Sequence, residues 1–136
     1  MPTLTKPQLD LRIRRPENQV DVDVTTTVRF NTVELNEIRL LGVRYRLACR
    51  ILEQDPGSDE QVHRFVTRDI PPGSPEQLDN VLSVRFSQAS LPMSRFDMDP
   101  SALNRDEIYA RVTLVNTHTG ATVTADSEIV EAQFAT

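Results

Sequence analysis

The 136 residues carry 20 acidic against 15 basic side chains, a net charge of −5 and a pI near 5.0, with no Trp and only 5% aromatic residues. That length suits a single domain over residues 1–136, able to bury a core without a metal or a disulfide. The acidic balance argues against a general nucleic-acid or anionic-membrane binder, which needs a basic footprint, and 26% charged residues read as a soluble surface.

From Leu9 the apolar residues Leu9, Leu11 and Ile13 alternate with Asp10, Arg12 and Arg14, the period-2 signature of a half-buried strand. Pro16-Glu17-Asn18 supplies a turn, and Val20, Val22, Val24, Val28 and Phe30 then share one parity against Asp21, Asp23, Thr25, Thr27 and Arg29. A hairpin about that turn has one register that satisfies both faces, with Ile13 opposite Val20, Leu11 opposite Val22, Leu9 opposite Val24, and Arg12 opposite Asp21 outside.

Residues 31–41 mix Val33, Leu35, Ile38, Leu40 and Leu41 with no single period, so strand, bend and helical turn stay open there. After Gly42, the residues Val43, Tyr45, Leu47, Cys49 and Ile51 define a strand whose other face carries Arg44, Arg46 and Arg50. Turn residues 55–59 close it.

Residues 61–67 read as an edge strand of ambiguous parity, since Val62 and Val66 oppose His63 and Phe65. The proline-rich stretch 70–75 lacks the donors a sheet interior needs. Leu82, Val84 and Phe86 mark the next strand, beyond which no alternation survives between Ser87 and Arg105; Asp99 and Pro100 fit the start of a brief helical turn inside that connection.

Ile108, Ala110, Val112 and Leu114 form a strand that returns through the hairpin turn 116–120 into Ala121, Val123 and Ala125. Leu114 pairs with Val123 and Val112 with Ala125, and the pattern drifts after Asp126, as a bulge would make it. The last stretch and residues 61–67 are the candidate sheet edges. About seven short strands with turns between them predict an all-β fold, an immunoglobulin-like antiparallel β-sandwich. The segment from Asp106 to Val112 resembles the start of the sixth strand of immunoglobulin and fibronectin type III domains, where a Tyr anchors the corner. Here Tyr109 shares its parity with Arg111 and not with the apolar set, and the likeness spans one strand.

Few residue patterns point to chemistry. Gly occurs only at 42, 57, 73 and 120, which leaves no phosphate-binding loop. Cys49 is the sole cysteine and sits on an apolar parity, while His63 and His118 lie far apart without zinc spacing. No nucleophile elbow or acid–base pair is legible, so the chain is expected to be no enzyme and to need no cofactor. Without Trp, a sugar-binding platform lacks its main contact residues.

Two candidate sites remain. Asp55, Asp59, Asp97, Asp99 and Asp106 are loop carboxylates of the kind Ca²⁺ takes, should the loops meet at one end of the sandwich; the alternative is turn and cap formation. Of the 15 basic residues only Lys6 is a lysine, and the other 14 are arginines scattered along the chain, as a GC-rich coding sequence would give. Among them Arg44, Arg46 and Arg50 form a basic stripe suited to an acidic protein partner, or to Asp21 and Asp23 of a second copy, the alternative being cross-strand pairing within the chain. The expectation is a non-catalytic protein-interaction or structural module, with a calcium-dependent binding module as the alternative. No secretory signal or membrane span is legible, which reads as cytoplasmic.

Overall fold

The computed structural model describes residues 1–54, 59–97 and 106–134. The strands are β1 (Thr3–Leu4), β2 (Gln8–Arg14), β3 (Gln19–Arg29), β4 (Tyr45–Glu53), β5 (Glu60–Arg64), β6 (Arg68–Ile70), β7 (Val81–Pro92), β8 (Asp106–Asn116), β9 (Thr122–Asp126) and β10 (Val130–Ala132), with one helix, α1 (Thr32–Leu41), after β3. All pairings are antiparallel. In sheet A, β3 lies between β7 and an edge made of β1 and β2; in sheet B, β8 and β4 are central, flanked by β9 and β10 on one side and by β5 and β6 on the other. The fold is an all-β sandwich. Among the described residues its strand count exceeds seven because the short β1 and β6 add to the edges and the last stretch is split into β9 and β10.

The two sheets share one core. Val20, Val22 and Val24 from β3 meet Leu47, Cys49 and Ile51 from β4 and Val112 and Leu114 from β8. All five phenylalanines are buried in it. Phe30 lies 5.6 Å from Tyr45 and Phe65 5.6 Å from Phe86, each pair joining the two sheets, while Phe96 stacks on Phe134 at 5.0 Å. Cys49 is fully buried, and desolvation pushes its thiol up to about 12, which leaves it inert at neutral pH.

The regular ladders follow the sequence pattern. The β2–β3 hairpin pairs Ile13 with Val20, Leu11 with Val22 and Leu9 with Val24, and β8–β9 pairs Leu114 with Val123 and Val112 with Ala125. Where the pattern fails, a local cause is visible. Residues 32–41 are helical because Asn31 accepts from the Glu34 amide while the Glu34 carboxylate accepts from the Asn31 amide, a complete capping box, and Gly42 at φ 72° closes the far end. No helix among the described residues is long and apolar enough to cross a membrane.

Three bulges account for the lost alternation. Ile51 pairs with His63 but Leu52 with Gln61, so Val62 is an extra residue in β5, and Val62 and Phe65 are both buried. Strand β7 does not stop near Ser87; it continues to Pro92 across an extra residue at Ala89–Ser90, where Ser90 takes φ 60° and its amide donates to Asp21 at 2.9 Å. The expected irregular connection is therefore shorter, and the helical turn expected at Asp99 lies outside the described residues. Between β9 and β10, Ser127 fills the break, its hydroxyl accepting from the Ala110 amide and its own amide donating to the Ala110 carbonyl, both at 2.8 Å.

Candidate functional site

The outer face of sheet B brings together arginines that are distant in sequence. Arg50 on β4 lies directly opposite Arg64 on β5 and Arg111 on β8, and Arg111 lies opposite Asp126 on β9. One row across four strands thus reads Arg64, Arg50, Arg111, Asp126. Like charges directly opposite one another destabilise a sheet. Both carboxylate oxygens of Asp126 accept from one side of the Arg111 guanidinium, from Nε at 2.9 Å and Nη2 at 3.1 Å. Arg50 and Arg64 form no ion pair among the described residues.

Beneath this row, Arg111 sits 5.6 Å above the Tyr109 ring. Tyr109 is 5% exposed although its parity is outward, and its hydroxyl donates to Asp59. Burial, then the bond to Asp59, push the phenol up to about 12, so it stays a neutral donor. The Tyr109 that resembled a sandwich corner residue thus ties the loop before β5 to the outer face.

The other arginines of the expected stripe are occupied. Arg44 precedes β4 and its guanidinium donates to the carbonyls of Ile38 and Val43, at 3.3 and 3.0 Å, where it caps the end of α1. Arg46 faces Asp69 at 3.5 Å in an exposed pair of small energetic weight. The stripe along one strand therefore contributes Arg50 alone, and the charge concentrates in a row across strands. Arg64 and Arg111 carried no signal in the sequence, because cross-strand neighbours are set by register.

On the opposite face, Asp21 and Asp23 are engaged within the chain. Asp21 accepts from the Ser90 amide and from Arg14, both of which hold its carboxyl below the usual carboxylate range. Ser87 and Arg85 do the same for Asp23. The register places Arg12 opposite Asp21 as expected, but the ion pair is made diagonally by Arg14, at 3.0 Å.

A cleft of about 260 Å³ opens on the flank of the sandwich, where the β5–β6 edge of sheet B faces the β7 edge of sheet A. Phe65 and Phe86 supply apolar lining, and His63, Arg64, Arg68 and Gln88 supply polar groups. Arg68 lies 5.0 Å over the Phe86 ring and donates to the Arg85 carbonyl at 3.0 Å, bridging the two edges. The His63 ring meets Phe65 edge-on at 4.7 Å, and partial burial together with nearby Arg95 lowers its proton affinity.

Of the candidate calcium ligands, Asp55 and Asp99 lie outside the described residues. Asp59 is taken up by Tyr109 on the outer face. Asp106 lies on the inward parity of β8, 2% exposed, and Asp97 is half-buried at the end of the segment after β7. Among the described residues no three His, Cys, Asp or Glu side chains are placed to hold a metal ion. His118 belongs to the β8–β9 turn, its amide donating to the Asn116 side chain at 2.9 Å. Comparison with protein-family models, with curated proteins and with solved structures finds no match to this chain.

Proposed function

We propose that this chain is a non-catalytic protein-interaction module on an immunoglobulin-like sandwich, and that the outer face of sheet B receives an acidic segment of a protein partner. Strand order supports the first part. Labelling the successive strands A, B, C, E, F and G gives an A–B–E sheet against a G–F–C sheet extended at the C edge, the arrangement of that architecture.

The row of Arg64, Arg50 and Arg111 carries the second part. A protein of net charge −5 holds three guanidinium groups side by side on one face with Asp126 as the counter-charge for one of them. Neighbouring strands set them about 5 Å apart, and carboxylates at i and i+4 on a helix have a similar spacing. A nucleic acid would need a wider basic footprint. A second copy of the chain is the weaker occupant, because Asp21 and Asp23 already hold Arg14 and Arg85.

The test is a titration of the protein with a blocked, Glu-rich helical peptide, followed by NMR at low ionic strength. Saturable shifts at Arg50, Arg64 and Arg111, lost in Arg50→Glu and absent with a Lys-rich peptide, are the expected result. Light-scattering mass of the free protein completes it. A peptide that binds Arg50→Glu as well as the parent would overturn the reading, as would a defined oligomer broken by that substitution.

A further inference from the structure

The geometry points to the flank cleft between the β5–β6 edge and β7 as a binding site for a tetrahedral dianion of the phosphate-monoester class, held by Arg64, Arg68 and His63. Three features of the cleft argue for this occupant. First, it gathers cationic and neutral donors: Arg64, Arg68, His63 and Gln88 line it, Arg95 stands near His63, and among the described residues no carboxylate belongs to its wall. Among the described residues none of Arg64, Arg68 and Arg95 forms an ion pair. Ser87 of the wall donates to Asp23, which Arg85 also pairs, and Asp69 beside Arg68 faces Arg46.

Second, the donors come from different directions. Arg64 ends β5, Arg68 begins β6, and His63 is fixed against Phe65 on the bulged side of β5. A carboxylate is planar and is satisfied by one guanidinium fork. Donors spread over two strands of one cleft instead match the several faces of a phosphate or sulfate. Third, the size selects a small group. A volume of about 260 Å³ lies just below the range of drug-sized ligand pockets, and Val66, 85% exposed, offers an apolar edge to whatever the phosphate is attached to.

The site does not rest on the arginine row, although Arg64 serves both. Its test uses the whole chain and small anions, so it is decided separately from peptide binding. The His63 ring and the arginine side-chain N–H signals are followed by NMR as sodium sulfate is added, with sodium chloride at matched ionic strength as the control. Sulfate is expected to give saturable shifts centred on His63 and Arg64 and to raise the pH at which His63 titrates, because the bound dianion favours the imidazolium against Arg64, Arg68 and Arg95. Chloride is expected to give neither effect.

Arg64→Gln should weaken sulfate binding about tenfold, the loss expected for one charge-assisted contact. Arg29→Gln, which removes the same charge from the far end of β3, should leave it unaltered. Methyl phosphate and phenyl phosphate then separate the sources of the group: tighter binding of the phenyl ester assigns an aromatic body to the ligand, and equal binding assigns the phosphate alone. Shifts matched by chloride, or sulfate binding that survives Arg64→Gln unchanged in a variant whose spectrum shows it folded, would overturn the assignment.

Discussion

The arginine row predicts that removing a charge from the surface makes this protein more stable. In Arg50→Gln the side-chain stem is kept while the charge flanked by Arg64 and Arg111 disappears. Two unit charges about 5 Å apart repel by about 0.8 kcal/mol in bulk water, and Arg50 has two such neighbours. Splayed side-chain tips and the Asp126 carboxylate beside Arg111 reduce the net gain to about 0.5–1 kcal/mol. Unfolding a chain of this length has an entropy of about 0.29 kcal/mol/K, so the expected rise in Tm is about 2–3 °C. The assay is thermal unfolding followed by circular dichroism in dilute buffer and again in about 0.5 M NaCl, where the screening length falls to about 4 Å. The gain should be present in dilute buffer and largely gone in salt. A variant that melts at or below the parent at low ionic strength, or a gain that salt leaves intact, would refute the electrostatic account.

Other consequences follow from single contacts. Phe134→Ala removes a ring 1% exposed and stacked on Phe96, and should cost about 3–5 kcal/mol in denaturant unfolding; a loss under 1 kcal/mol would mean that the segment after β10 is not part of the core. Ser127→Ala strips the Ala110 amide of its buried acceptor and should cost about 1–3 kcal/mol, with accelerated hydrogen exchange at Ala110 as the local sign. Cys49 should resist a thiol-reactive disulfide reagent until the protein unfolds, and rapid labelling of the native chain would contradict its burial. His63 has a folded pKa below its ordinary 6.5, so as the pH falls through 6.5 the unfolded chain takes up the proton first and stability declines until the folded pKa is passed; His63→Gln should flatten that part of the pH–stability curve.

Wherever the ladder is unbroken, the sequence by itself determined the strands, their inward faces and even their register. The β2–β3 and β8–β9 pairings follow from parity alone, because one register puts both apolar sets inside and any slip of one residue puts them in water. Helix α1 was also legible in principle, since Asn31 and Glu34 carry the capping spacing and Gly42 the stop; its apolar residues obscured it, with Ile38 buried while Val33, Leu40 and Leu41 face solvent.

Only the tertiary structure decided the rest. The bulges at Val62 and at Ala89–Ser90 shift the side-chain parity by one residue, and nothing local announces an extra residue whose unpaired position is fixed by the neighbouring strand; the break after Asp126 alone showed in the sequence, as a drift of the pattern. The same holds for both candidate sites. Arg50, Arg64 and Arg111 belong to three strands, and Arg68 meets Phe86 across the two sheets. Their proximity is created by strand order and register, which the pattern along any single strand does not contain.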